Sequence, residues 1–266
     1  MFNEIVRAEI WLQDTLESQE SIAALAERLG YSSSQVRRRF RQYFGMSPSA
    51  YREALRLEKA ARLLIHTPLG ILEIARRCGY TNHSAFSRAF LRRFDRSPRT
   101  HRQAGREALA RRAGDVGLAH APRIRQFAPR SAVVARRYEP AAMLPPPDTW
   151  HACLNGYQLP PPDVAARAAT IMLLQPDADL PRRDVGVLVD GQAADTMPIP
   201  PSLRLLRLPA ARCACIDLAD IGMLNHTLAA LLAALPQMAE HYSGDPVRLV
   251  NGESGIELQL PLLEAS

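Results

Sequence analysis

The sequence predicts two domains of different fold class, an all-α domain over residues 1–112 and an α+β domain over residues 124–266, joined by a linker at 113–123. Three observations predict this. Apolar residues recur with a helical period of 3.6 in the first hundred residues, whereas short runs rich in valine, isoleucine and leucine come later. The chain of 266 residues is long enough for two cores. Its charge also changes sign, because residues 1–112 carry 21 basic and 11 acidic side chains and residues 113–266 carry 12 and 16.

The composition excludes several classes of protein. With 47% apolar and 23% charged residues, the chain is neither largely disordered nor fibrous. The richest apolar run, residues 228–235, is about half as long as a membrane-spanning helix requires. The first seven residues carry charges of both signs and no apolar run of the signal-peptide type, so we expect a cytoplasmic protein.

Capping residues mark the helix boundaries of the first domain. Ser21 and either Ser32 or Ser33 are placed to cap two successive helices, and Gly30 separates them. A serine-proline pair then begins a long helix over about residues 47–65, with proline at its first position.

An internal repeat is the most informative pattern in the sequence. Five residues recur 49 positions later: Ile22, Ala26, Arg28, Gly30 and Tyr31 as Ile71, Ala75, Arg77, Gly79 and Tyr80. Five more recur 50 positions later: Arg38, Phe40, Phe44, Ser47 and Pro48 as Arg88, Phe90, Phe94, Ser97 and Pro98. Each copy, about 21–45 and 70–95, reads as helix, glycine-containing turn and helix. This is the pattern of a helix-turn-helix, whose second helix enters a major groove about 12 Å wide.

The second helix of each copy carries basic and hydrogen-bonding side chains opposite its aromatic stripe. They are Gln35, Arg37, Arg38 and Arg41 in the first copy, and His83, Ser84, Ser87, Arg88, Arg92 and Arg93 in the second. The alternative is an inert helical bundle whose arginines form a solvated face. Such a face normally mixes both signs of charge, whereas Asp95 is the one carboxylate near these two helices. The pattern therefore favours DNA binding.

Residues 5–104 resemble the double helix-turn-helix domain of AraC/XylS transcriptional regulators. The resemblance is carried by the second copy, where residues 71–80, 86–90 and 94–98 follow that family's signature. It implies that both second helices enter successive major grooves of double-stranded operator DNA, and that an activator of this kind would also contact RNA polymerase. The base-reading positions carried over are Ser34, Arg37, Arg38, His83, Ser84, Ser87 and Arg88. Ser34 stands where the family often has a bulky aromatic residue, so the operator cannot be copied from a relative.

The second domain is predicted as strands around one or two helices. The expected strands are 132–135, 170–174, 185–189, 203–208, 213–218, 247–250 and 256–260. One clear helix is expected over about 223–235, where Pro236 ends or kinks it.

This half resembles a GyrI-like effector-binding domain through residues 175–186, 208–216 and 256–261. The resemblance implies two pseudo-symmetric strand-helix-strand-strand halves around a cleft for a small cationic or aromatic molecule. Its expected effector site comprises the carboxylate of Glu257, aromatic walls and a second carboxylate behind them: Tyr138, Trp150, Tyr157, Glu240 and Glu257. The alternative places Glu257 on a solvated edge strand and the aromatic residues in an ordinary core.

Metal binding and catalysis receive little support. Four soft side chains could bind a metal: Cys213, Cys215, His151 and Cys153. Cys213 and Cys215, however, are alternate residues of an apolar strand, so their side chains point to one face and are expected to pack there. No P-loop, G-x-S-x-G, G-x-G-x-x-G or H-E-x-x-H motif is present, so we expect neither an enzyme nor a cofactor. A protein-interaction module, or a weakly catalytic one using Glu257, remains the alternative for the second domain.

Overall fold

The computed structural model describes residues 2–115, 117–118, 120–138, 144–154, 169–175, 182–190, 194, 197–200, 202–253 and 255–264. It divides into two compact units, Met1–Glu107 and Ala108–Ser266.

Helices α1 to α7 form the first unit and the segment that follows it. They are α1 (Phe2–Asp14), α2 (Ile22–Leu29), α3 (Ser33–Phe44), α4 (Pro48–His66), α5 (Ile71–Arg77), α6 (His83–Phe94) and α7 (Pro98–Asp115). The predicted helix-turn-helix pairs are α2–α3 and α5–α6, with α4 as the long helix between them. These helix predictions are confirmed.

The predicted caps also form. The Ser21 hydroxyl accepts a hydrogen bond from the Ala24 amide, and Gly30 ends α2 in the left-handed conformation, with φ of 71°. Of the two serines considered for α3, Ser32 is the cap. Its hydroxyl accepts from the amide of Gln35, whose side chain accepts in return from the Ser32 amide, which satisfies two of the free N–H groups at the helix start.

The sequence repeat is also a repeat of aromatic packing. Phe40 lies 4.5 Å from Phe44 and 5.3 Å from Tyr51, measured between ring centroids. Fifty residues on, Phe90 lies 4.5 Å from Phe94 and 5.2 Å from the ring of His101. Each cluster fixes the C-terminal half of α3 or α6 against the start of the helix that follows it.

Several arginines of this basic unit have structural roles that the sequence pattern did not reveal. Arg56 donates to the carbonyls of Leu16 and Ser18, in the segment that precedes α2. Arg106, fifty residues on, donates to the carbonyls of Ile65, in the last turn of α4, and of Thr67, directly after that helix. These guanidinium groups bind backbone oxygens that are left without helical partners, so the unit's charge is not all available to a ligand.

His66, at the end of α4, makes the stability of the first unit depend on pH. Burial, reinforced by Arg62 and Arg106, lowers its pKa from 6.5 to about 4. The unfolded chain therefore binds this proton more tightly, and stability that is complete above pH 6.5 declines as the pH falls toward 4. We expect a loss of about 2–3 kcal/mol across this window, which His66→Gln removes.

Urea unfolding at several pH values, followed by Trp11 fluorescence in a Trp150→Phe background, measures this loss. The control is His120→Gln, because His120 is exposed. A His66→Gln variant that keeps the parent pH dependence would contradict the assignment.

Eight strands build the second unit's described sheet. They are β1 (Arg123–Phe127), β2 (Arg130–Arg137), β3 (Thr170–Leu174), β4 (Arg183–Val189), β5 (Arg204–Leu208), β6 (Ala211–Leu218), β7 (Val247–Gly252) and β8 (Gly255–Pro261). All pair antiparallel in the order β1-β6-β8-β7-β3-β4-β2-β5. The seven predicted strands are confirmed. β1 was not predicted, because three of its five residues are polar and it lacks the apolar run typical of a buried strand; four of its positions are exposed.

The sheet has an internal two-fold relation. Exchanging β1 with β5, β2 with β6, β3 with β7 and β4 with β8 gives the same strand order, read from the opposite edge of the sheet. β1 and β5, and likewise β2 and β6, begin and end 81 residues apart. Arg136 of β2 is aligned with Asp184 of β4 in one half. In the other half Asp217 of β6, 81 residues after Arg136, is aligned with Glu257 of β8, so Asp184 corresponds to Glu257. The first strand of each half pairs with the other half.

The connections force this sheet to curl. β1 and β2 are six positions apart in the sheet, which would be about 29 Å in a flat sheet. Only two residues connect the two strands, and this connection spans about 11 Å at most. Arg130 of β2 donates from Nη2 to Oε1 of Gln259 of β8 over 2.8 Å, although four positions separate their strands. The face that carries both side chains is therefore the concave face.

Helix α8 (Leu224–Ala234) covers part of the opposite, convex face. A 3-10 turn precedes it, and a second one containing Pro236 follows, as predicted. The segment Ile221–Met238, with a mean hydropathy of 1.2, has the length and composition of a membrane span. Its leucines 224, 228, 231 and 235 instead pack in the core with Leu249 and Leu258 of the sheet.

Candidate nucleic-acid interface and concave sheet face

Helices α3 and α6 expose the side chains that the sequence assigned to DNA. Exposed are Ser34, Gln35, Arg37, Arg38 and Arg41 of α3, and His83, Ser84, Arg88 and Arg92 of α6, whereas Ser87 is half-buried. The opposite faces are buried through Val36 and Phe40 in α3 and through Phe86 and Phe90 in α6. Both helices therefore present one polar face and bury the other.

Two of the predicted DNA-binding residues of α3 also have local structural partners. The Gln35 side-chain oxygen accepts from the Ser32 amide over 2.9 Å, so it is held in the cap. The Ser34 hydroxyl lies 3.0 Å from that of Ser32. Since a capping oxygen has less freedom to accept from a base, Arg37 and Arg38, one turn further on, are the more available donors.

The start of α6 is fixed in a similar way by a different residue. The Asn82 side-chain oxygen accepts from the amides of Ser84 and Ala85 at 2.8 and 3.2 Å. This cap leaves the side chains of His83 and Ser84 exposed on the first turn. In helix-turn-helix proteins the N-terminal residues of the recognition helix contact base edges.

The arginines of these helices differ in their partners. Arg92 of α6 pairs with Glu53 of α4 at 3.2 Å, so it also ties the helix to its support. For Arg37, Arg38 and Arg88, no salt bridge is found within the described part of the chain. An unpaired exposed guanidinium is suited to bind guanine or phosphate oxygens.

The residues expected to bind an effector do not gather in one place. Trp150 is 1% exposed, donates to the Pro145 carbonyl and packs in the core on the convex face. Glu257 lies on the concave face, because it is two residues before Gln259 in the same strand. Its neighbours in register are Val250 of β7 and Asp217 of β6. The two cannot line a single pocket, since the sheet separates them.

The other predicted effector residues have separate surroundings. Glu240 pairs with Arg212, with Nη2 and Oε1 2.5 Å apart. Tyr138 is half-buried directly after β2. Tyr157 lies outside the described residues.

Glu257 is held in a network of ion pairs. Its Oε2 accepts from Arg125 at 2.8 Å and from Arg123 at 3.3 Å, and its Oε1 accepts from Gln259 at 2.7 Å. Two guanidinium groups already balance this carboxylate, so its attraction for a cationic ligand is reduced.

The equivalent carboxylate of the other half is paired more deeply. Asp184 binds Arg136 through two hydrogen bonds of 2.7 and 2.9 Å and lies 3.2 Å from Arg204. Its burial by itself raises its pKa, but Arg136 and Arg204 outweigh this effect and lower it overall. The Arg204–Asp184 and Arg123–Glu257 pairs are related by the two-fold.

The two cysteines of β6 pack as expected on one face. Cys213 and Cys215 are both 0% exposed on the concave face. Burial raises the pKa of Cys215 to about 12, so the thiol stays protonated at neutral pH. No cluster of three potential metal ligands is found among the described residues.

The family model that matches this chain lies within the first unit. Residues 25–104 match the family model of a helix-turn-helix domain. The HTH-type transcriptional activator RhaS of Salmonella arizonae is 39% identical over 99 residues, which are 37% of this chain and 35% of the relative. RhaS of Salmonella newport gives the same values. The chain thus spans about a third of the length of these curated relatives.

Solved structures match a similar share of the chain. The C-terminal domain of AraT, a response regulator from Geobacillus stearothermophilus, is 34% identical and covers 38% of this chain and 84% of that one, with a TM-score of 0.37. The DNA-binding domain of AdpA, solved with a target DNA, is 30% identical and covers 39% of this chain and 94% of that one, with a TM-score of 0.38. The family match and the duplicated motif together identify residues 25–104 as a helix-turn-helix domain.

Proposed function

We propose that this chain is a sequence-specific DNA-binding transcriptional regulator that reads two adjacent major grooves of double-stranded DNA. The observation that carries the proposal is the duplicated motif, in which α3 and α6 each expose arginines without a salt bridge in the described structure. Grooves on one side of DNA recur about every 34 Å, so one chain with two recognition helices can replace a dimer. It would act in the cytoplasm, on the nucleoid.

Base recognition and affinity are assigned to different side chains. Arg37, Arg38 and Arg88 would read base edges, together with Ser34, His83, Ser84 and Ser87. Arg41 and Arg92, further along their helices, would hold phosphates, and Gln35 would position α3 through its cap. Because phosphate contacts release counterions, affinity should fall steeply with salt.

The curled sheet is proposed as a GyrI-like sensor of a small molecule. The arrangement β2-β3-β4 followed by β6-α8-β7-β8, related by a two-fold, supports this assignment. Because Trp150 and Glu257 lie on opposite faces, we place the ligand on the concave face with Glu257. The relatives named as activators suggest that the partner of the DNA-bound protein is RNA polymerase.

Arginine variants test the DNA proposal directly. Arg38→Ala or Arg88→Ala is expected to lose about 1–3 kcal/mol of binding free energy on the true operator and less on random DNA. Genomic binding-site mapping supplies the operator, and fluorescence anisotropy at several salt concentrations measures both affinities.

Arg137→Ala is the matched control, because Arg137 is an exposed arginine of the sheet. Equal losses on operator and random DNA would show that Arg38 and Arg88 hold only phosphate. Absence of any mapped site would overturn the regulator itself.

A further inference from the structure

Arg248 of β7 is a buried cation without a counter-ion in the described structure. It is 5% exposed and points to the concave face between Leu173 of β3 and Gln259 of β8. Its Nη1 atom is buried and lacks a hydrogen-bond partner. A buried guanidinium left in this state destabilises the fold unless something compensates its charge.

A second arginine on the same face adds to this cost. Burial is the main cause that lowers the pKa of Arg130, and the nearby positive charge of Arg248 lowers it further. Its Nη2 binds Gln259 and its Nε is buried without a partner. Two like charges that share a buried region repel one another, and an anion bound between them would attract both.

The carboxylates of the concave face are already engaged. Asp184 pairs with Arg136 and Arg204, while Asp217 and Glu257 pair with Arg123 and Arg125. Among the described strands, this face therefore has six arginines for three carboxylates. The surplus consists of Arg130 and Arg248.

The fold itself does not require arginine at these two positions. By the two-fold, Arg130 corresponds to Ala211, 81 residues on, and the β7 position of Arg248 corresponds to Ile171 of β3. The related half thus builds the same sheet with apolar residues. A charge that one half carries and the other omits is better explained by a ligand than by folding.

We propose that Arg130 and Arg248 bind the carboxylate of a small organic anion on the concave face. This inference rests on the proposed sensor function and gives the ligand a charge opposite to the cation expected from Glu257. Apolar neighbours favour an organic anion over inorganic phosphate, because Leu208 is aligned with Arg130 and Leu173 with Arg248. Both leucines belong to one buried apolar cluster.

Thermal unfolding of the full chain tests the site, with benzoate, inorganic phosphate and benzylammonium as probes. Trp150 fluorescence in a Trp11→Phe background reports the sheet. Benzoate is expected to raise the Tm by about 3 °C or more at saturation, phosphate less, and benzylammonium not at all. In Arg248→Met the affinity for benzoate should fall at least tenfold.

The same variant gives a second readout without ligand. Removing an unpaired buried charge should leave the Tm of Arg248→Met unchanged or higher. Arg137→Met, at an exposed position, is the matched control and should keep the benzoate response. Arg130→Gln tests the site from the other side, and decides the question if Arg248→Met does not fold.

Three outcomes would overturn the site: no shift with benzoate or phosphate at tens of millimolar, an equal shift in Arg248→Met and the parent, or a shift with benzylammonium alone. DNA binding of the parent chain is measured separately. A parent that binds its operator but ignores benzoate refutes only the anion site, whereas a parent that binds no DNA refutes the regulator.

Discussion

Replacing Phe90 with alanine is expected to destabilise the first unit by about 3–5 kcal/mol and to abolish operator binding at physiological temperature. Phe90 is 0% exposed and contacts the rings of Phe86, Phe94 and His101. Truncation leaves a cavity where α6 packs against α4 and the start of α7, so the recognition helix loses the support that orients its arginines.

The adjacent residue provides the control. Leu91, on the same helix, is 50% exposed, so Leu91→Ala should change stability by about 0.5 kcal/mol or less. Urea unfolding followed by Trp11 fluorescence, in a Trp150→Phe background, gives both values, and anisotropy gives DNA affinity. Phe90→Ala with the stability of Leu91→Ala would show that α6 does not depend on this core.

Replacing Asp184 with asparagine should cost the sheet about 3–5 kcal/mol, because it leaves two buried guanidiniums without their counter-ion. The Asp184 side chain is 9% exposed, and those of Arg136 and Arg204 are 6% and 12% exposed. Since the lowered pKa of Asp184 keeps it ionised, the parent sheet should also lose stability as the pH falls through the acid range, and the variant should lose less.

Asp217 provides the matched substitution. It pairs with Arg123 at 2.7 Å, but its side chain is 59% exposed, and Asp217→Asn should cost about 1 kcal/mol or less. Urea unfolding of the Trp11→Phe chain, read from Trp150, measures both variants. Equal losses would mean that burial of the Asp184 cluster adds nothing to its strength.

The first unit could be predicted from the sequence because its information is local. Caps such as Ser21, turn glycines such as Gly30, and the aromatic stripes act within a few residues of the helix that they define. The repeat then supplied the arrangement of the second motif. What the pattern missed were arginines such as Arg56 and Arg106, since their carbonyl partners lie about forty residues away.

The concave face could not be predicted in this way. Trp150 and Glu257 were assigned to one site, but only strand register shows that the sheet lies between them. Arg130 and Arg248 are 118 residues apart in the sequence and come near each other, both beside Gln259, through a curl that depends on the short connection from β1 to β2. Sequence periodicity gives the face of a strand but not its neighbours, so this pair left no signal.

The exchange of first strands between halves also sets the order in which this protein can be completed during synthesis. β1 must wait for β6, and β8, the last described strand of the chain, separates β6 from β7 in the sheet. A ribosome-bound chain therefore carries a complete first unit for the whole time that its sheet is still open. Folding of the first unit is local and fast, while closure of the sheet is long-range and slow. Under the proposed function, a newly made molecule passes through an interval in which it can bind DNA before its sheet can bind a ligand.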